Sequence, residues 1–232
     1  MSDAAWRLVI VALRHLPTLL IFSGSCAGLA RFRRLSPSLR ALALLACFET
    51  VAELASLALW HLQKPNLFLI PLIMVGEVGL QALLYARALQ SRRFWRVAPW
   101  AVGLVAVYAL LDSLLVPGSV RYRPSVQVLG ALLPLGLAGL YFRKLLNELQ
   151  VTRLERDPLF WVSAGLAIAS LGDLLIALFS SYLSNNYSAQ LNITIWSVHA
   201  WLVGFLYCTY CLALWMRPPK PNSGSYYSSA SA

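Results

Sequence analysis

Apolar and polar positions divide the chain into seven long apolar runs, at about 8–30, 41–61, 67–88, 97–116, 125–146, 159–182 and 191–215. Each is close to the roughly 20 residues that cross the hydrocarbon of a bilayer as a helix. None alternates with the two-residue period of a half-buried strand. In hydrocarbon only helices and closed barrels satisfy every backbone group, and unalternating runs of this length select helices. The pattern therefore predicts an all-α bundle of seven transmembrane helices, forming one domain over 1–216. Residues 217–232 are proline, serine, glycine and tyrosine, too polar to pack, and are expected to be a disordered tail.

Local chemistry agrees with these boundaries. Ser36-Pro37 and Asp157-Pro158 precede the second and sixth runs, each a capping side chain followed by proline in the first turn. Trp60, Trp95, Trp100, Trp161 and Trp215 fall near run ends, where an amphipathic ring suits the membrane interface. Ser23-Gly24-Ser25-Cys26 loosely resembles a lipoprotein cleavage site but lacks the leucine expected three residues before the cysteine. Arg31, Phe32, Arg33 and Arg34 follow at once, so the first run is read as a retained span.

Composition narrows the function classes. Apolar residues make up 59% of the chain and charged residues 12%, against roughly 25% charged in a soluble domain. Seven spans and short connections fill 232 residues, which leaves no expected soluble kinase, nucleotide-binding or DNA-binding domain. The net charge of +10 comes from basic residues between the apolar runs. There they meet anionic lipid and set topology, so no nucleic-acid partner is expected. One set of loops and the tail hold Arg31, Arg33, Arg34, Arg40, Arg87, Arg92, Arg93, Arg96, Arg143, Lys144, Arg153, Arg156, Arg217 and Lys220. The other side holds Arg7, Arg14, Lys64, Arg121 and Arg123. Fourteen against five puts the C-terminus in the cytoplasm and the N-terminus outside.

Ionisable groups at membrane depth are costly and mark candidate sites. Glu49 and Glu53 lie four apart on one face of the second helix, as do Glu77 and Gln81 on the third. Asp112, Asp173 and His199 add one each, and Arg14 with His15 interrupts the first run. Counted from the run ends, Glu53 and Glu77 fall near the midplane, and Asp112, Asp173, His199, Arg14 and His15 fall in the outer half. The expectation is an outward-opening polar cavity that binds a ligand or relays protons, built from Glu53, Glu77, Gln81, Asp112, Asp173, His199, Arg14 and His15. The competing reading is interhelical hydrogen bonds and ion pairs, such as Arg14 with Glu77 or Asp173, which commonly hold membrane helices together. Carboxylates exceed cations in this set, which favours the cavity.

No cofactor, catalytic or metal residue is assigned. His15, His61 and His199 with Asp112 or Asp173 have the ligand chemistry for zinc. Glu53-x-x-Ser56 with His61 loosely resembles the second-helix motif of the alkaline ceramidase and adiponectin-receptor superfamily of zinc hydrolases. That family carries a His-x-x-x-His pair in its last helix, where this chain has only His199. Cys26, Cys47, Cys208 and Cys211 all sit in apolar runs, where packing is the commoner role than a thiolate centre. Retinal is excluded: Lys64, Lys144 and Lys220 are the only lysines, and none lies within the last helix. Gly24-x-x-x-Gly28 permits close helix approach, inside the bundle or in a homodimer.

Ser36-Pro37-Ser38-Leu39-Arg40, Arg143-Lys144-Leu145-Leu146-Asn147-Glu148 and Arg156-Asp157-Pro158-Leu159-Phe160-Trp161 are loop-and-cap features. With them the chain resembles uncharacterised seven-helix integral membrane proteins of Bacteroidota-type bacteria, akin to membrane sensory modules of histidine kinases. The resemblance implies a bacterial inner-membrane location and no known catalytic residue. The leading expectation is a module that senses a small ligand or lipid and acts through a separate cytoplasmic signalling protein, docked on the Asn147–Asp157 loop. The alternatives are a proton-coupled small-solute transporter and a zinc-dependent membrane hydrolase.

Overall fold

The computed structural model describes residues 3–63, 69–115, 124–148, 154–184 and 189–216, without the side chains of 3–15, 60, 70, 112–115, 124–126, 148, 179–184, 189–194 and 196. Seven helices follow in order: α1 Asp3–Ala30, α2 Pro37–His61, α3 Leu69–Leu89, α4 Arg92–Leu115, α5 Pro124–Glu148, α6 Pro158–Ser184 and α7 Ala189–Trp215. Single 3-10 turns cover Phe32–Arg34 and Leu154–Arg156, and the described residues contain no strand. Six helices, α2 to α7, are long and apolar enough to cross a membrane; in α1 the described apolar stretch is Leu16–Ala30. The chain is a multi-pass helical membrane protein. The expected tail, 217–232, lies outside the described residues.

The sequence signals act where they were expected. Ser36 Oγ accepts from Leu39 N–H at 3.4 Å and Pro37 opens α2. Asp157 Oδ1 accepts from Leu159 N–H at 3.0 Å, while its Oδ2 accepts from the Tyr141 hydroxyl of α5. The fourth helix starts earlier than its apolar run, at Arg92 rather than 97, because arginine is a good helix former and its charge needs only the solvent side of the first turns. Left-handed residues end α2 and α3: Gln63 has φ 53° and Gln90 has φ 51°. They occupy the C-cap position that glycine usually fills.

Six helices close into a ring in the order α1, α2, α3, α5, α6, α7, with a further contact between α2 and α7; α4 packs outside, on α3. Accordingly Val97, Trp100, Leu104, Val107 and Leu111 form an exposed apolar face on α4. Close approach relies on small residues. A side chain at Gly28 would meet Ala43 of α2 at 2.9 Å, and one at Gly24 would meet Cys211 Sγ of α7 at 3.0 Å. Of the two roles open to this glycine pair, the structure displays the internal contact. Gly165 and Gly172 of α6 likewise face Thr209 and Leu202 of α7.

The core concentrates at the arginine-rich end of the bundle. Leu35, Leu39, Leu42 and Leu45 pack there with Leu84, Tyr85, Val162, Leu166, Tyr210 and Leu214, all nearly or fully buried. Cations bind backbone carbonyls at the same end. Arg31 donates to Leu214 O at 3.0 Å and Trp215 O at 2.6 Å, at the C-terminus of α7. Lys144 donates to Ala88 O at 3.0 Å and Leu89 O at 3.4 Å, at the C-terminus of α3. Both satisfy carbonyls the helix leaves unpaired and sit at the negative end of its dipole. Arg87 joins α3 to the start of α2 through Pro37 O at 2.9 Å.

Candidate functional site

The site is assembled where α2, α3, α6 and α7 face the interior. On α2, Thr50 anchors the helix to α1, donating to Ser25 Oγ at 3.1 Å and lying 3.3 Å from Ile21 O, as well as 2.8 Å from its own Ala46 O. This registration turns the neighbouring Glu49 inward, where it is only 5% exposed. Its carboxyl lies within electrostatic reach of Glu77 of α3 and accepts a hydrogen bond from the Tyr207 hydroxyl of α7 at 3.5 Å.

On α3 the same face continues at four-residue spacing through Glu77, Gln81 and Tyr85. Glu77 meets α2, and the Tyr85 hydroxyl is 2.8 Å from Ser163 Oγ of α6. Gln81, between them, therefore points into the bundle. It is 4% exposed, and its Oε1 has no hydrogen-bond partner among the described residues. One turn above Glu49, the Glu53 carboxyl lies within electrostatic reach of Glu77 and His199. His199 Nδ1 of α7 is 2.7 Å from Asp173 Oδ1 of α6, with side-chain exposures of 31% and 27%. Glu77 in turn feels Asp173. Access is graded: half-buried at Asp173, His199, Glu53 and Glu77, and closed at Glu49, Gln81, Tyr207 and Tyr210.

Five of the expected residues, Glu53, Glu77, Gln81, Asp173 and His199, are thus brought into one interior region. Arg14, His15 and Asp112 have side chains outside the described residues. Glu49 and Tyr207 were missing from the expected cavity. Glu49 was legible as the face partner of Glu53, while Tyr207 falls eight residues beyond His199, two turns along the same face. Buried tyrosine in an apolar helix carries no sequence mark that separates it from packing.

Among the described residues, no group of three or more His, Cys, Asp or Glu is placed to hold a metal ion. His61 ends α2 with its side chain exposed. The cysteines remain free thiols: Cys26 and Cys208 are exposed, Cys47 and Cys211 half-buried. Cys211 Sγ lies 3.1 Å from Leu20 O, a packing contact between α7 and α1. Among the described residues the interior gathers four carboxyls and the amide oxygen of Gln81, met by the Tyr207 hydroxyl and the His199 ring.

No protein-family model matches this chain, no curated protein is similar to it in sequence, and no solved structure is similar to it in fold.

Proposed function

We propose that the chain is a membrane-embedded sensing module of a bacterial inner membrane. It binds a small ligand from outside and signals through a separate protein at its arginine-rich, cytoplasmic end. One observation carries this reading. The interior polar groups are half-accessible on the side away from the arginines and closed beneath by a packed core. Intramembrane carboxyls are expensive and persist where a cavity or ligand rewards them. An interior whose polar groups are partly exposed at one end and whose other end is tightly packed suits binding that is read out through helix ends. Arg33 and Arg34 in the turn after α1, Arg87 in the last turn of α3 and the Leu154–Arg156 turn supply the docking surface.

Two measurements in intact cells test the reading. In a background without native cysteines, Asp173→Cys is expected to react with a membrane-impermeant thiol reagent added outside. Crosslinking through positions 154–156 is expected to capture a cytoplasmic signalling protein. Reaction only after the inner face is exposed, with no captured partner, would refute it.

The juxtaposed carboxyls of Glu49 and Glu77 favour a second reading, proton-coupled transport of a small solute. Proton flux in proteoliposomes, driven by a solute gradient and abolished by Glu77→Gln, supports it; no flux over a broad solute panel removes it.

A further inference from the structure

Gln81 sets the chemistry of the ligand. A buried amide oxygen without a donor is destabilising, and proteins rarely tolerate it except where something else supplies the donor. Its two neighbours on the same helix face are engaged, Glu77 with Glu49 and Tyr85 with Ser163. The vacant partner therefore belongs on the interior face of α3, which looks towards α2 and α6. Among the described residues the carboxyls of Glu49, Glu77 and, a turn away, Glu53 stand near that face, and the nearby Tyr207 hydroxyl is already directed at Glu49. The aromatic rings of Tyr207 and Tyr210, with centroids 6.2 Å apart, stand on the α7 side, and Tyr210 lies within electrostatic reach of Glu49, Glu77 and Tyr85.

Resting on the binding-module reading above, we infer that the site takes the ammonium group of a small organic cation, with its N–H donors on Glu77, Glu49 and Gln81 Oε1. An ammonium brings three donors and one positive charge, matching an acceptor-rich interior. Tyrosine faces add attraction to the same cation. A bare metal ion fits less well, since no three-ligand group is assembled among the described residues. An uncharged alcohol brings one donor and leaves the carboxyl charge unmet.

The test uses the full chain in lipid nanodiscs, titrated calorimetrically at fixed ionic strength with n-butylammonium chloride, sodium chloride and n-butanol. Saturable binding of butylammonium is expected, weakened at least tenfold by Glu77→Gln and by Gln81→Leu. Gln81→Leu deletes an unpaired buried acceptor and so keeps the fold, which leaves the test standing if Glu77→Gln is unstable. Sodium binding at equal strength, no saturable butylammonium binding, or unchanged affinity in Gln81→Leu overturns the inference. Butanol bound more tightly than butylammonium, and weakened by Gln81→Leu, also overturns it but leaves the binding module intact. The module itself fails only on the accessibility and crosslinking results.

Discussion

At Glu49 two demands meet in one carboxyl. It must lose water to sit in the interior, and it must find a donor there. The Tyr207 hydroxyl provides it, with the Glu77 carboxyl close by. Glu49→Gln keeps the size of the side chain and an oxygen that accepts from Tyr207, so its unfolding free energy is expected within about 0.5 kcal/mol of the parent. Glu49→Ala leaves a cavity and takes the acceptor from the Tyr207 hydroxyl, and a loss of about 1–3 kcal/mol is expected by reversible denaturation in mixed micelles. Equal stability of the two variants would show that the polar contacts of Glu49 contribute nothing. At Tyr85 the expectation is smaller. Tyr85→Phe removes the bond to Ser163 between α3 and α6, and single polar contacts between membrane helices average about 0.6 kcal/mol.

At the scale of elements, contact between helices depends on surfaces thinned to glycine on one side. Gly28 of α1 lies against Ala43 of α2 and Leu214 of α7, so any larger residue must push two helices away. Gly28→Leu is expected to cost about 1–3 kcal/mol by overpacking, whereas Gly103→Ala on α4, whose added carbon meets nothing within 4 Å, should be close to neutral. Thermal unfolding of the two variants side by side checks this. Helix ends add a second kind of coupling. Arg31 binds the last carbonyls of α7 and holds α1 to it. Arg31→Met keeps the apolar stem and removes the charge, and an expected loss of about 1 kcal/mol would measure the carbonyl contacts. Lys144 plays the same part between α5 and α3.

For the whole molecule the consequence is an asymmetric bundle, packed and stapled at the arginine-rich end and polar within towards the other. Backbone hydrogen exchange in nanodiscs is expected to be slowest over 39–46 and 210–214, which lie in that core, and faster around Asp173 and His199. Uniform protection along α6 and α7 would contradict the picture. Hydrophobic length, capping pairs and charge placement were enough to read the helices, because each depends on neighbours within a turn or on the solvent, and the bilayer imposes one solvent on every span. Glu53, Glu77, Gln81, Asp173 and His199 were legible as candidates for the same reason, since a polar group in hydrocarbon stands out in any order of helices. Which of them meet was beyond the reach of the sequence. The Glu49 to Glu77 pair, the approach of Tyr207 and the unpaired oxygen of Gln81 depend on how α2, α3 and α7 rotate about their axes, and that rotation is set by small-residue contacts far along the chain.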